Sequence, residues 1–428
     1  MNKTLLFLLA GMLIVFSACQ QKNEANFVKV ANNGFTLNGK EYSFKGANYW
    51  QGMNLGAPQS GDQQRLLREL DEMKELGITN LRILAASEAD SSMRYCIHPA
   101  LQTAPGVYNN DIWQGLDFLL AEMGKREMKA VMVLGNFWTW SGGFPQYLRW
   151  AGMGEVPYPQ EPPTSWQQFT DYSKQFFSND SAQEMMKNHI KTIIGRINSI
   201  SGKAYKDDAV IMAWQLANEP RGYDVPKQLQ KWTRATSAYI KSLDSNHLVC
   251  LGTEGNTADL VSGVNVLIDN NDSNIDYITM HIWAQNWGWY SPEQSDSVYT
   301  EMLQKVNSYW DVHVDAAKKL QKPIVLEEFG IARDGSSFSP DTTTNCRDRF
   351  FEFIFNKVNE SIKNNGMVRG VNFWSYSGEG RPLHPGEFWK KGDTYLGDPP
   401  HELQGWYGVY DKDSTTLAII KRCCESKF

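Results

Sequence analysis

Residues 210–220 read VIMAWQLANEP, and residues 323–330 read PIVLEEFG. Each stretch is a short run of apolar and β-branched residues, which is typical of a buried strand in a parallel sheet. The first run carries Glu219 at its end and the second carries Glu328. Because a carboxylate at the end of an apolar strand is costly to bury alone, the two stretches indicate both a fold and a site.

Strand-like runs of this kind recur along the chain. The eight runs are residues 43–50, 80–84, 130–136, 210–220, 248–255, 277–283, 323–330 and 371–377. Apolar residues at helical spacing lie between most of them, in residues 63–76, 112–128, 185–200, 228–243, 298–320 and 347–363. The alternation predicts an α/β fold whose parallel sheet closes as a (β/α)8 TIM barrel.

Two segments fall outside this alternation. Residues 27–41 contain two Asn-Gly turn signals, which predict an N-terminal hairpin that covers the bottom of the barrel. Residues 378–413 are rich in Gly, Pro and aromatic residues and are too long for a simple connection. We expect this segment to extend the top face and to add functional surface. Residues 27–428 are predicted to form a single catalytic barrel.

The first 18 residues have the pattern of a lipoprotein signal peptide. Lys3 precedes an apolar run at residues 5–16, which is too short to span a bilayer. Small residues followed by Cys19 resemble a bacterial lipobox, in which Cys19 becomes lipidated and residues 19–26 form a tether. Ordinary secretory cleavage nearby is the alternative. Both readings predict export, and lipidation predicts anchoring to the periplasmic or cell-surface face of a bacterial membrane.

The charge and the Trp content of the chain indicate which classes of molecule it could bind. The net charge is −6 and no block of basic residues occurs, which argues against nucleic acid as a partner. The chain holds 15 Trp residues, and Trp outside a core often forms flat stacking platforms. Membrane contact is expected through the lipid anchor only, and the oligomeric state is left open.

The cysteines give little sign of metal binding. Five remain after Cys19, and their spacing matches no zinc motif. Cys250 lies in an apolar run and is predicted to be a buried free thiol. Adjacent cysteines rarely bond to each other, so Cys423 or Cys424 is a candidate for a disulfide with another cysteine.

Catalytic side chains of such a barrel lie at the carboxyl ends of its strands. Glu219 and Glu328, on the fourth and seventh runs, would face each other across the barrel mouth. In retaining glycosidases, two carboxyls about 5–5.5 Å apart act as acid/base and nucleophile. The other polar and aromatic side chains at strand ends are Arg82, Asn136, Trp138, Asn218, His281, Trp283 and Trp374.

The two carboxyls would need different protonation states. The acid must keep a raised pKa, whereas the nucleophile must stay ionised. A nearby Arg82 would keep the nucleophile ionised by its opposite charge. Glu327 precedes Glu328, and side chains alternate along a strand. We therefore expect Glu327 to bind backbone or to pair behind the sheet.

These residues carry a resemblance to a known family. WQLANEP at residues 214–220, followed by LEEFG at residues 326–330, resembles glycoside hydrolase family 5 of clan A. With NLR at residues 80–82 and with Trp374, the resemblance covers nearly the whole mature chain. GNFW at residues 135–138 and the Trp-rich residues 281–290 are similar to the β-mannanase branch, which includes lipoprotein exo-acting mannosidases.

The resemblance implies a role for each site residue. Glu219 would be the acid/base and Glu328 the nucleophile of a double displacement, with Asn218 bound to the sugar 2-hydroxyl. Arg82 would orient Glu328. His281 would line the −1 subsite, and Trp374 would be its platform. The remaining side chains expected to bind substrate are Asn136, Trp138 and Trp283. The resemblance implies no metal and no organic cofactor.

One position departs from the family pattern. The family usually has Tyr two residues after the histidine of strand 6, and its hydroxyl binds the nucleophile. Here the residue is Trp283, whose indole N–H can only donate. Either Trp283 or the hydroxyl of Tyr290 would then hold Glu328.

The implied substrate is β-1,4-mannan, glucomannan or a manno-oligosaccharide, with endo and exo action both open. A β-1,4-glucanase of the same family is the alternative enzyme, and a non-catalytic polysaccharide-binding barrel is the alternative from another class. Trp287 and Trp289 would be either subsite platforms or loop packing. His401 and Glu402 are expected to be a solvated pair in the last loop.

Overall fold

The computed structural model describes residues 26–257 and 262–426. The predicted signal peptide and the lipidation site at Cys19 lie outside the described residues. Among the helices of the described ranges, none is long and apolar enough to cross a membrane.

The strands alternate with helices along most of the chain. In chain order they are β1 Lys29–Ala31, β2 Gly34–Leu37, β3 Lys40–Tyr42, β4 Phe44–Asn48, β5 Asn80–Leu84, β6 Gln102–Ala104, β7 Val107–Tyr108, β8 Lys129–Val133, β9 Ile211–Gln215, β10 Leu248–Cys250, β11 Ile278–Ile282, β12 Ile324–Phe329, β13 Val368–Phe373, β14 Tyr376–Gly378 and β15 Val409–Tyr410.

Several of the helices begin at a side-chain cap. In chain order the α-helices are α1 Gly52–Leu55, α2 Gln63–Glu75, α3 Asn110–Lys125, α4 Gly143–Trp150, α5 Trp166–Ser173, α6 Asp180–Ile194, α7 Pro226–Leu243, α8 Val266–Asp269, α9 Asp296–Leu320, α10 Asn345–Lys363 and α11 Ser414–Glu425. Asp62 caps α2 and Asn179 caps α6, each by accepting a backbone N–H of the first turn.

Eight strands form one parallel sheet in the order β10-β9-β8-β5-β4-β13-β12-β11. Its two outer strands come together without a regular ladder. The N–H of Asp276 donates to the carbonyl of Val249, and the N–H of His281 donates to that of Glu254. These bonds bring the ends of the sheet together, so the predicted (β/α)8 barrel is confirmed.

The N-terminal segment forms three antiparallel strands, β1 to β3, rather than the predicted two-stranded hairpin. The second Asn-Gly turn is the reason, because it adds one more reversal of the chain. Val28 and Phe35 pack in one apolar cluster with barrel-interior side chains such as Val131 and Tyr277. The segment therefore covers the bottom of the barrel, as predicted.

Several element boundaries differ from the predictions. The eighth barrel strand is Val368–Phe373 rather than residues 371–377, and Tyr376–Gly378 pairs separately with β15. The start of this strand was missed because it contains Gly370, and glycine is uncommon in strands. Glycine is needed there because a Cβ would meet the Phe44 ring at 2.4 Å. The helix expected at residues 185–200 is Asp180–Ile194, bounded by its Asn179 cap and by Gly195.

All cysteines of the described residues are free. Cys250 is buried, as predicted. The disulfide considered for Cys423 or Cys424 is absent from the structure, since neither is bonded. The side chain of Cys424 instead lies against Gly77. A Cβ added to Gly77 would lie 2.8 Å from the Cβ of Cys424.

Candidate active site

The barrel brings the two glutamates together at its carboxyl end. Glu219 follows β9 and Glu328 lies near the end of β12. A carboxylate oxygen of each and a ring nitrogen of His281 lie within 4.8 Å of one another. This spacing suits the short separation of a retaining pair rather than the wider gap that an inverting pair needs for water.

Glu328 is held by two donors that the sequence had suggested. Nη1 of Arg82 donates to Oε1 of Glu328, and the indole Nε1 of Trp283 donates to Oε2 at 3.1 Å. The alternative, Tyr290, points elsewhere, with its hydroxyl near Cys346 and the Gln294 carbonyl. The structure thus places Trp283 where the usual tyrosine hydroxyl would be needed.

Arg82 organises the floor of the site. Its guanidinium donates to Asn48 at 3.0 Å, to Gln215 at 2.9 Å and to Asn218 at 2.6 Å, in addition to Glu328. All of these side chains are buried. The planar guanidinium therefore fixes Glu328 and the Asn218 amide in one rigid arrangement.

Glu327 does not lie behind the sheet, so that expectation was wrong. A β-bulge between β11 and β12 places two residues, Glu327 and Glu328, opposite His281. The Glu327 carboxylate lies inside the barrel, where it accepts from Gln215 at 2.5 Å and lies 3.5 Å from Nε of Arg82. The bulge interrupts the alternation on which the expectation was based.

Glu219 is oriented by two aromatic side chains. The indole Nε1 of Trp138 donates to Oε2 at 2.6 Å, and Nδ1 of His281 lies 2.7 Å from Oε1. The backbone of Glu219 has a φ of 49°, which is rare outside glycine and is found mainly where function requires it. The contacts hold each oxygen of this carboxylate by a different side chain, and neither of those side chains is Arg82.

His281 contacts both catalytic carboxylates, and its pKa is raised. Burial lowers its pKa, but the charges of Glu328 and Glu219 outweigh this and raise the pKa of His281 to about 10. Burial raises the pKa of Glu219, but the hydrogen bond and charge of His281 outweigh it and lower that pKa to about 2. The acid was expected to have a raised pKa itself. Instead, the raised pKa is that of His281, one hydrogen bond away.

Burial also has the largest effect on the pKa of the nucleophile, Glu328. It raises the pKa of Glu328 to about 7, against the opposing positive charges of His281 and Arg82. The negative charge of Glu219 adds to the increase. The two carboxyls therefore influence each other's protonation, as two charges a few ångströms apart must.

A cavity of about 890 Å³ lies over this pair, within the size range of ligand pockets. Trp138, Asn218, Trp283 and Trp374 line it together with the two glutamates. Asn136 is fully buried and instead holds Asn218, whose amide donates to it at 3.2 Å. The predicted substrate contact of Asn136 is therefore a positioning contact.

The outer loops contribute differently from expectation. His401 and Glu402 are not a solvated pair, because the last long segment folds back and makes both of them part of the cavity wall. Trp287 also lines the cavity, whereas Trp289 packs on Trp287 and Tyr309 at ring-centroid distances of 4.8 and 6.2 Å. Trp287 thus has the position of a platform, and Trp289 supports it.

Several site residues were missed from the sequence. Asn48 and Gln215 hold Arg82, and their signal was a polar side chain inside an apolar strand. Arg221 and Glu254 form an ion pair at 2.5 Å that lines the cavity beside Glu219. Glu254 lies at the end of the fifth predicted run, so its position could have indicated it.

Within the described ranges, Glu219, His281 and Glu328 form the one group close enough to share a metal ion. The donor set does not fit that use. Arg82 and Trp283 already donate to the Glu328 oxygens, and Trp138 donates to Glu219. A metal would displace these donors and would lie beside the Arg82 charge. The geometry suits two hydrogen-bonded catalytic carboxylates.

Replacing Trp283 by phenylalanine is expected to lower kcat about 10- to 100-fold, because the loss removes a donor to a buried carboxylate. Steady-state kinetics on an aryl β-glycoside measures the loss. Trp283→Tyr should recover part of the loss by restoring a donor. Trp289→Phe is the matched control, since Trp289 does not line the cavity. Equal effects of the two phenylalanine changes would contradict the role.

Comparisons with known proteins agree with this geometry. The model of the family described as GH family 5 beta-mannosidase-like matches residues 25–426. The crystal structure of a glycoside hydrolase family 5 mannosidase from Rhizomucor miehei is 40% identical, with a TM-score of 0.86, over 94% of this chain and 97% of that one.

A plant enzyme is also similar in sequence, and another solved structure shares the fold. Mannan endo-1,4-beta-mannosidase 4 of Solanum lycopersicum is 31% identical over 398 residues, covering 89% of this chain and 92% of that protein. The endo-beta-1,4-mannanase structure from Thermotoga petrophila shares the fold, with a TM-score of 0.68 at 24% identity over 91% of this chain and 77% of that one. With its paired glutamates in place, the chain belongs to glycoside hydrolase family 5, is β-mannosidase-like within it, and is an enzyme of the glycoside hydrolase class.

Proposed function

We propose that the protein is a retaining, exo-acting β-mannosidase that removes single mannose units from β-1,4-linked manno-oligosaccharides. The observation that carries this proposal is the wall that the last long segment builds over the cavity. Endo action requires a groove that is open on both sides of the cut bond. A walled pocket admits the end of a chain but not its middle.

The wall joins loops from different sides of the barrel mouth. Nε2 of Gln160, in the loop after α4, donates to the carbonyl of His401 at 3.2 Å. Phe388 packs edge-on against Tyr95, with ring centroids 5.2 Å apart. Three loops therefore meet over the cavity. The wall residues that line it are Phe388, Pro399, His401, Glu402, Leu403 and Trp406.

The wall is also held firmly. The buried carboxylate of Asp398 accepts the backbone N–H of Gly405 at 3.0 Å and that of Tyr407 at 2.7 Å. The Tyr407 hydroxyl donates to Asn286 at 2.5 Å, which ties the wall to the loop after β11. A wall fixed by these bonds would have to unfold locally before a polysaccharide could pass through.

The site geometry supports a double displacement. Glu328 would attack the anomeric carbon while the leaving oxygen takes a proton that His281 passes on through Glu219, which leaves Glu219 ionised and His281 neutral. The first step leaves a mannosyl ester on Glu328. Glu219 would then remove a proton from water as it attacks the same carbon. Two inversions retain the β configuration.

The relatives support a mannoside substrate. The Rhizomucor miehei enzyme, at 40% identity, is a mannosidase, and one of its structures holds mannosyl-fructose. The tomato relative at 31% identity is a mannan endo-1,4-beta-mannosidase, which keeps endo action as the second candidate. Two buried carboxylates at the cavity favour an enzyme over a module that only binds polysaccharide.

Product analysis over time tests the proposal. The mature protein is incubated with mannohexaose and, separately, with cellohexaose. We expect mannose as the only small product from the first minutes, with the hexamer shortened one unit at a time. Mannobiose and mannotriose appearing together from the start would show endo action. Cleavage of cellohexaose alone would leave the family and overturn the mannoside assignment.

We also propose that Cys19 anchors the exported protein to a bacterial membrane. The lipobox-like residues before it support this. In a bacterial host, the native chain should sediment with membranes and enter a detergent phase, whereas Cys19→Ala should not. Cys424→Ala is the matched control and should remain with the membranes. A soluble native chain would contradict the anchor.

A further inference from the structure

One aromatic ring at the mouth of the cavity has no part in the chemistry described above. Trp166 is 53% exposed, although Trp is usually more buried than this, and it lines the same cavity as the glutamates. Ligand pockets are lined mainly by apolar and aromatic side chains, so an exposed ring among the lining residues is a candidate ligand contact.

The ring is held in a fixed position. Trp166 is the first residue of α5, where Ser165 and Gln168 form a capping box that fixes the backbone. The ring packs edge-on against Trp138 and Phe169, with centroids 6.0 and 6.1 Å away. Trp138 and Phe169 are themselves stacked at 5.7 Å. Edge contacts leave a face of the Trp166 indole free to meet a ligand at little cost in side-chain entropy.

The position of Trp138 shows on which side of the cut bond Trp166 lies. Trp138 donates to the Glu219 carboxylate at 2.6 Å, so Trp166 lies outward from the acid/base, beyond Trp138. The acid/base protonates the leaving oxygen, so the leaving part of the substrate lies on this side. Arg82 donates to the nucleophile instead, and Trp374 packs on Trp283, which also donates to it.

We propose that Trp166 is a stacking platform for the leaving-group end of manno-oligosaccharides, beyond the sugar next to the cut bond. The occupant is a β-1,4-linked mannose ring, whose apolar face would lie on the indole. This inference rests on the proposed mannosidase activity and extends it to a preference for substrates longer than mannobiose.

Chain-length kinetics test the platform. We measure kcat/KM on mannobiose, mannotriose and mannotetraose for the native enzyme, Trp166→Ala and Trp166→Phe. Trp166→Ala should lower kcat/KM about five- to tenfold on mannotetraose, mainly through KM, and by less than about twofold on mannobiose. Trp166→Phe should recover part of the loss, because it restores an aromatic face.

Ile197→Ala is the matched control. Ile197 is 65% exposed and follows α6 at the opposite end of the barrel, so its loss should change no substrate. Equal losses on all three substrates after Trp166→Ala would indicate a structural role and overturn the platform. No loss on any of them would overturn it too.

Failure of the proposed mannosidase activity would give a different result from failure of the platform. If the native enzyme released no mannose from any of these substrates, calorimetric titration of mannotetraose and cellotetraose into Glu328→Ala would replace the kinetics. Weaker binding when Trp166→Ala is added to that variant would support the platform without mannosidase activity. Unchanged binding would reject the platform as well as the proposed mannosidase activity.

Discussion

Replacing Glu328 by alanine is expected to lower kcat on mannosides by about 10⁴-fold or more, because no other group in the site can form the covalent intermediate. The carboxylate is the one that Arg82 and Trp283 hold from two sides. Steady-state kinetics on an aryl β-mannoside measures the loss. Thermal unfolding shows whether the variant still folds.

A small anion should restore the first step. Azide can occupy the space that the missing side chain leaves, attack the anomeric carbon and release the aryl alcohol. One inversion then gives the α-mannosyl azide. This product, identified by NMR, would assign the nucleophile by chemistry rather than by loss of activity alone.

Glu327→Gln is the matched control, because Glu327 is the adjacent carboxylate and is equally buried. It contacts Gln215 and Arg82 rather than the cavity, so we expect about a tenfold loss and no azide product. Azide rescue in a variant of Glu327, and none in Glu328→Ala, would reverse the assignment of the two residues.

The features that the sequence predicted are those set by local pattern. Apolar runs of strand length, separated by helical periodicity, specify the barrel, since parallel strands need helical crossovers. The ends of those strands then converge at one face, so Glu219, Glu328, Arg82 and His281 were predictable as neighbours. Their roles came from the resemblance, not from the pattern.

The features that sequence reasoning missed depend on contacts between distant segments. The bulge that lets the adjacent Glu327 and Glu328 both face the interior is a property of how β11 and β12 pair, and alternation along one strand cannot show it. His401 and Glu402 lie in a polar loop whose sequence is typical of solvated surface. Contacts with other segments place that loop over the cavity, among them the bonds of Asp398 to Gly405 and Tyr407 and the bond of Gln160 to His401.

Replacing Glu219 by alanine should have the second largest effect and a different signature. Loss of the acid/base is expected to lower kcat on manno-oligosaccharides about 10²- to 10⁴-fold. An aryl mannoside with a good leaving group needs no acid, so its first step should remain fast. The second step lacks a base, and a burst of aryl alcohol should precede slow turnover.

Azide again distinguishes the residue, because it needs no base. In Glu219→Ala it should attack the mannosyl ester on Glu328, increase turnover and give the β-mannosyl azide, the anomer opposite to that from Glu328→Ala. Glu254→Gln is the control, since Glu254 lines the cavity but pairs with Arg221. It should show neither the burst nor the azide product. An α product from Glu219→Ala would exchange the two catalytic roles.

The same variant should shift the pH profile in a direction that the electrostatics determine. Burial raises the pKa of Glu328 to about 7, and the charge of Glu219 contributes to the increase. Activity of the native enzyme should therefore fall as pH falls through about 7, because the nucleophile becomes protonated. Loss of Glu219 also removes one partner that raises the pKa of His281, but Glu328 and Glu327 remain beside the imidazole and keep that pKa raised. With His281 still cationic, Glu328 should ionise at lower pH without the Glu219 charge. The acid limb of kcat/KM on the activated aryl mannoside should then move to lower pH in Glu219→Ala. An unchanged limb would mean that the two carboxyls do not interact, although their oxygens lie within 4.8 Å.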